Sequence, residues 1–282
     1  MMATVQTQNY QQILTHTNSE LERLIDQASF FGQLTEHVFR LAGLEPGMRV
    51  LDIGCGAGDV SFLAAKLVGE GGEVIGVDKS PQAVALASQR ATAAGLPNVH
   101  FVTADLTGFV PDEPVDALIG RLVLMYFSDP AVLLRRLSQF VQPGGVVVFH
   151  ELDMTATKSL PRCDLFETST SRITQAFTRA GAEMQMGLKL AQTFLEAGLP
   201  CPEMIQGARL GHGPDSPAYK QVAEITRTLL PLMERVGVAT AIEVDIDTLE
   251  ERLRQEVVAN HATVVAPPYI GAWARLIGSI EV

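Results

Sequence analysis

Three acids and three glycines near the start of the chain have the types and spacing to do chemistry together. In Val50-Leu51-Asp52-Ile53-Gly54-Cys55-Gly56-Ala57-Gly58, an apolar run ends in an acid and then in alternate glycines. Such a turn uses backbone angles that residues with a Cβ rarely adopt, and the missing Cβ lets a ligand approach closely. A helix that follows it points its first N–H groups at whatever lies beyond the turn. Asp78 lies twenty residues after Gly58 and closes Val74-Ile75-Gly76-Val77-Asp78. A carboxylate there can accept both hydroxyls of a ribose. Asp105, in Thr103-Ala104-Asp105-Leu106, can accept from an exocyclic amino group. The dinucleotide fingerprint is G-x-G-x-x-G. Here the glycines read G-x-G-x-G and the next residue is Asp59, a poor neighbour for a pyrophosphate. The set describes a pocket for an adenosine without phosphates. Each acid also has a plainer reading: Asp52 as a strand-end acid, Asp78 as a helix cap, Asp105 as the start of a turn.

A sheet must hold these residues in place. Short apolar runs predict strands at 49–53, 73–77, 99–103, 115–120 and 146–152. Helices are expected at 57–68, 81–94 and near 130–141, with Pro81 at the favoured first helical position. Pro143-Gly144-Gly145 reads as the turn into the fifth strand. Apolar strands alternating with helices mean a parallel sheet covered on both faces. In such sheets ligands bind outside the carboxyl ends of the strands, where the strand order reverses. Before this core, Leu21, Leu24, Ile25, Ala28, Phe31, Leu34, Val38 and Leu41 predict a helix over 19–41, stopped by Gly43 and Pro46-Gly47. After it, helices are expected at 165–180, 188–197, 217–236 and 247–259, and strands at 203–210 and 263–270.

Residues from about 45 to 155 closely resemble class I S-adenosylmethionine-dependent methyltransferases of the small-molecule type. Asp52, Gly54, Gly56 and Gly58 match the acid-x-G-x-G-x-G motif of that family, Asp78 its ribose acid and Asp105 its adenine-binding acid, with Leu106 offering its backbone N–H to the ring. Pro143-Gly144-Gly145 matches the turn before its fifth strand. The resemblance implies S-adenosyl-L-methionine as cofactor, S-adenosyl-L-homocysteine as product, and no metal. It implies cofactor contacts from Asp52, Gly54, Cys55, Gly56, Gly58, Asp78, Lys79, Asp105, Leu106 and Arg121. Cys55 has nothing beside it to depress its pKa and reads as a small packing residue of the turn, not a nucleophile. The implied fold is an α/β, Rossmann-like, doubly wound seven-stranded sheet, mostly parallel with an antiparallel last strand, plus helical lid insertions. Its final pair would be 203–210 and 263–270. The implied organisation is an N-terminal helical segment over 1–44 covering the pocket, a cofactor-binding core over 45–155, and the remainder over 156–282, with substrate-lid insertions at about 156–185 and 212–262.

Methyl transfer from a sulfonium is an in-line displacement, for which a protein mainly supplies positioning and exclusion of water. A base, if one is used, belongs near the carboxyl ends of the fourth and fifth strands. His150, Glu151 and Asp153, in Phe149-His150-Glu151-Leu152-Asp153, are candidates there, and His150 has a pKa range suited to that task. His150 and Leu152 should point one way and Glu151 and Asp153 the other. A structural histidine is the competing reading. Tyr126, after the fourth strand, could touch cofactor or substrate, or only pack in the core. His37 could face the pocket if its helix folds over it, or lie on the helix surface. Ala266-Pro267-Pro268-Tyr269 resembles the Asn- or Asp-Pro-Pro-Tyr motif of adenine and glutamine N-methyltransferases. It begins with Ala and lies far from the fourth strand, so it reads as a strand bend.

Composition narrows the partners. The net charge is −11 over 282 residues, which gives a phosphate backbone little to hold, so no nucleic acid is expected. The mean hydropathy is +0.18, yet no apolar run approaches the roughly 20 residues of a membrane span. The first twenty residues lack the pattern of a signal peptide. Cys55, Cys163 and Cys201 are widely spaced, which suits a reducing compartment and neither a disulfide framework nor a zinc site. A cytoplasmic enzyme acting on a small-molecule acceptor is expected, with a homodimer as one arrangement open to it. The rivals are a protein or RNA methyltransferase, a cofactor-binding scaffold without transfer, and, more distantly, an NAD enzyme.

Overall fold

The computed structural model describes residues 31–276. Residues 31–42 are helical (α1); the part of the expected helix before residue 31 lies outside the described residues. The elements that follow alternate as the apolar runs demand: β1 (Arg49–Ile53), α2 (Asp59–Val68), β2 (Glu73–Asp78), α3 (Pro81–Ala93), β3 (Val99–Thr103), β4 (Val115–Arg121), a 3₁₀ turn over Leu124–Tyr126, α4 (Pro130–Ser138) and β5 (Val141–Leu152). Local chemistry sets the helix starts. Ser80 accepts from the N–H of Ala83 and Asp129 from that of Val132, each before a proline in the first turn.

Next come β6 (Lys158–Leu160), α5 (Asp164–Arg179), α6 (Met186–Glu196), β7 (Glu203–Gly207), β8 (Leu210–Gly211), α7 (Ala218–Arg235), α8 (Ala241–Val244), α9 (Leu249–Ala259), β9 (Thr263–Val265) and β10 (Tyr269–Arg275). Among the described residues, no helix is long and apolar enough to cross a membrane.

The chain divides into two compact units. The described part of the first comprises 31–151, 186–206 and 269–276. It holds a seven-stranded sheet in the order β3-β2-β1-β4-β5-β10-β7. The pairs β1–β2, β1–β4, β2–β3 and β4–β5 are parallel, and the sheet is mostly parallel with an antiparallel strand. The order reverses between β1 and β4, which places the switch point beside the glycine turn. Val50, Val74, Ile119, Val146 and Val148 of the sheet pack with Phe39, Leu44 and Trp273 in one buried cluster.

The second unit comprises 152–185 and 207–268. Both expected insertions fall within it. Phe166 of α5, Tyr219 of α7, and Leu249 and Leu253 of α9 form its core, and a three-stranded sheet in the order β6-β9-β8 completes it.

Two sequence expectations need correction. Pro143-Gly144-Gly145 is not a turn before the fifth strand but lies within β5, where the register with β4 shifts between Val115 and Ala117. A Cβ at Gly145 would stand 2.6 Å from the carbonyl of Asp116, so the irregularity needs glycine. The expected strands 203–210 and 263–270 are each two strands in two different sheets. Pro267 and Pro268 cannot donate to a ladder and divide the later run. The final pair of the large sheet is therefore β7 with β10.

Candidate cofactor and transfer site

The glycine turn joins β1 to α2. Gly54, Gly56 and Gly58 have φ of 67°, 53° and 90°, the left-handed region that residues with a Cβ avoid. The N–H groups of Gly54 and Cys55 both donate to the carbonyl of Val77, at 2.8 and 3.1 Å, and so hook the turn onto β2. Space is as strict as angle. A Cβ at Gly54 would meet Val123 at 2.5 Å, and one at Gly58 would meet Phe101 at 2.8 Å.

The acids stand at the ends of the first three strands. Asp52 is 1% exposed. Its Oδ2 accepts from Ser61 Oγ at 2.6 Å, while its Oδ1 has no partner among the described residues. Burial raises its pKa to about 7 against the opposing effects of the Ser61 bond and the Arg121 charge. Asp78 ties the turn to its own strand end: Oδ2 accepts the N–H of Gly56 at 3.0 Å and Oδ1 that of Ser80 at 2.8 Å. Each oxygen keeps capacity for another donor. Asp105 Oδ1 accepts the N–H and hydroxyl of Thr107, at 2.8 and 2.6 Å. These bonds, and the charges of Lys79 and Arg136, hold its carboxyl below the usual range. Lys79 sits within reach of the charges of Asp78 and Asp105, which oppose the pull of burial on its ammonium. Leu106 is buried, and its carbonyl accepts from Arg136 at 2.7 Å. The burial of Cys55 pushes its thiol well up, as a packing residue of the turn requires.

These features fit an S-adenosylmethionine molecule. The buried, unpartnered Oδ1 of Asp52, the spare acceptor capacity of Asp78 and Asp105, and the lack of room for a Cβ at Gly54 and Gly58 suit the hydroxyl and amino donors of such a molecule. A surface groove of about 590 Å³ lies elsewhere, against α3 and the edge of β3, lined by Ser88, Thr92, Leu96 and His100 among others. It shares only Phe101 with the glycine turn.

The structure separates the candidates His150, His37 and Tyr126. His150 shares a face of β5 with Val146 and Val148, where Phe39 and Tyr269 cover it, and it is wholly buried. Its ring stacks on Tyr269 at 5.2 Å and meets the edge of Phe39 at 5.4 Å. Neither ring nitrogen has a partner among the described residues. Burial, then the charge of Arg121, lowers its pKa to about 3. His150 is thus a neutral residue among core rings, which supports the structural reading of this histidine over that of a base. His37 is exposed on α1, whereas Thr35 and Phe39 of that helix are buried. Tyr126 lies in the 3₁₀ turn after β4, and burial and the charge of Glu151 push its titration above the ordinary range.

Arg121, at the end of β4, is half-buried. It donates to Thr35 Oγ1 at 3.3 Å, and its charge is felt by Asp52, His150 and Tyr269. Tyr269 is stacked on Phe31 at 4.7 Å, and its hydroxyl lies 3.1 Å from Thr35 Oγ1. The sequence reading set Tyr269 aside as part of a strand bend and left out Thr35, Ser61 and Arg90. Glu151 stands there among the base candidates, not as a holder of the backbone after β4. Strand alternation placed Glu151 opposite His150, and that was the available signal.

Comparison with known proteins agrees with this geometry. Residues 44–198, more than half of the chain, match the family described as a methyltransferase domain. The chain is 30% identical over 149 residues to the aklanonic acid methyltransferase DauC of a Streptomyces species, covering 51% of this chain and 67% of that protein. It is 35% identical over 128 residues to the 2-phytyl-1,4-naphtoquinone methyltransferase of Synechococcus elongatus, covering 44% and 55%. Across the curated relatives it matches, it spans from 24% to 67% of the relative's own length. Its fold is similar to that of the YcgJ protein of Bacillus subtilis, with a TM-score of 0.57 at 17% identity, covering 88% of this chain and 100% of that one. The chain belongs to the class I S-adenosylmethionine-dependent methyltransferase family.

Proposed function

We propose that the protein transfers the methyl group of S-adenosylmethionine to an O, N or C atom of a small or medium organic acceptor. One observation carries this reading. Asp78 grips both the glycine turn, through Gly56, and its own strand end, through Ser80, and so presents a fixed carboxylate beside a turn with no Cβ. The cofactor supplies an activated methyl on a sulfonium. The chain's residues do the rest. Asp78 accepts the ribose hydroxyls, and Asp105 with the N–H of Leu106 reads the adenine edge. Asp52 and Arg121 offer an acceptor and a donor to the amino-acid end. Holding both reactants converts the displacement into an effectively unimolecular step.

The names of the aklanonic acid and naphtoquinone relatives support an organic acceptor, and the charge of −11 disfavours a polyanion. The segments 156–185 and 212–262, which lie in the helical unit, are proposed to choose the acceptor. Replacing them should change acceptor preference and leave cofactor affinity intact. Cys55, Cys163 and Cys201 are free thiols, which supports a reducing cytoplasm as the place of action. The experiment is calorimetric titration with S-adenosylmethionine and S-adenosylhomocysteine, with NAD as control. Micromolar binding of the first two and none of NAD is expected. NAD binding without the others would overturn the reading.

A further inference from the structure

The end of β5 presents acceptors to the segment that leaves β4. Leu122 turns the chain through the left-handed region, at φ 53°, and its N–H donates to the carbonyl of His150 at 2.8 Å. The next two N–H groups, of Val123 and Leu124, both donate to Oε1 of Glu151, at 2.9 and 2.7 Å. Successive amides turned to one side form a concavity that holds anions. Here the occupant is an internal carboxyl. Glu151 is wholly buried, and its Oε2 has no partner among the described residues.

What this grip fixes is the side chain of Val123. A Cβ at Gly54 would lie 2.5 Å from Val123 Cγ2, and one at Gly120 would lie 2.9 Å from Cγ1. Val123 therefore backs the first glycine of the cofactor turn, and its own backbone is held by Glu151. The three heavy atoms nearest such a Cβ at Gly54 all belong to Val123, at 2.5, 3.0 and 3.9 Å.

We propose that Glu151 is a positioning residue of the cofactor site, holding Val123 so that the glycine turn is seated at the spacing the cofactor needs. This rests on the cofactor reading given above. Burial raises the carboxyl to about 8, so near neutrality Glu151 is largely a neutral acid. A neutral side chain with the same carbonyl acceptor then does its work.

The test is calorimetric titration of S-adenosylhomocysteine into the wild type, Glu151→Gln, Glu151→Leu and Val123→Ala, with circular dichroism as the check on folding. Glu151→Gln keeps an acceptor for both N–H groups and should bind within about threefold of the wild type, whereas Glu151→Leu leaves them unsatisfied and should bind about tenfold more weakly or worse. Equal binding by the Leu variant, or a Gln variant as weak as Leu, overturns the proposal. If Glu151→Leu does not fold, Val123→Ala decides. It keeps the carboxyl and removes the wall, and should weaken binding by about threefold or more, while unchanged affinity overturns the proposal. A wild type that binds no S-adenosylhomocysteine would sink the cofactor reading instead.

Discussion

Arg90, on α3, forms an ion pair with Asp59 at the first turn of α2, with Nη2 2.7 Å from Oδ1. The same guanidinium donates to the carbonyl of Ala57 and lies 5.1 Å from the centre of the Phe62 ring. Asp59 is the residue that breaks the dinucleotide fingerprint, and its charge was expected to repel a pyrophosphate. The pair changes that reason. The acid is balanced from α3, and what it does is fasten the far side of the glycine turn.

Arg90→Ala should therefore loosen the turn rather than relax selectivity. The side chains are 26% and 14% exposed, so loss of these charge-assisted bonds should cost about 1–3 kcal/mol. Urea unfolding checks the stability. Titration with S-adenosylhomocysteine should show weakened binding and still none of NAD. Asp59→Asn removes the charge itself and should still bind no NAD; NAD binding gained by that variant would restore the repulsion argument.

Asp78 is the residue to which we assign the ribose contact. Asp78→Ala should weaken S-adenosylhomocysteine by about tenfold or more, which is ~1.4 kcal/mol. Because Asp78 also accepts the N–H of Gly56, the loss includes turn geometry as well as the ribose contact. Adenosine competition separates the two: a ribose role predicts that adenosine loses affinity along with the full cofactor product. Unchanged affinity in a folded variant would refute the assignment.

The pH dependence of stability has two opposing sources. His150 has its pKa lowered to about 3, so its contribution is full above the ordinary histidine range and is lost as pH falls from about 6.5 toward 3. Asp52 and Glu151 are raised to about 7 and 8. Their contribution is full below the ordinary carboxyl range, about 4, and is lost as pH rises through 7 and 8. His150→Phe should flatten the acid limb of melting temperature against pH, and Asp52→Asn the neutral limb. An unchanged acid limb in a folded His150→Phe variant would mean that the imidazole is not held neutral.

How much of this could be read beforehand follows from the range of the forces. The strands β1 to β5 and the Asp52, Asp78 and Asp105 positions are written locally, in apolar runs that end in acids and glycines. The later strands are not, because Pro267 and Pro268 split one apolar run between two sheets. His150 looked reactive by type alone. Its fate depends on Phe39 and Tyr269, residues more than a hundred positions away, which meet it only once the sheet is assembled. The pairing of Arg90 with Asp59 and the grip of Glu151 on Val123 are likewise tertiary, and no local pattern marks them.

That same assembly yields the last prediction. Thr35 on α1 and Tyr269 on β10 face each other at 3.1 Å, and Arg121 donates to Thr35. The three side chains join α1, β4 and β10 at the carboxyl end of the sheet. Tyr269→Phe keeps the rings stacked and removes the hydroxyl, which should cost about 1 kcal/mol. Thr35→Val should cost a similar amount by leaving both Arg121 and Tyr269 short of a partner. Because the two substitutions break one network, the double variant should cost less than the sum, with a coupling of about 0.5–1 kcal/mol by urea unfolding. Strict additivity would mean that the three groups do not act together. In that case Arg121 is held by something other than this network.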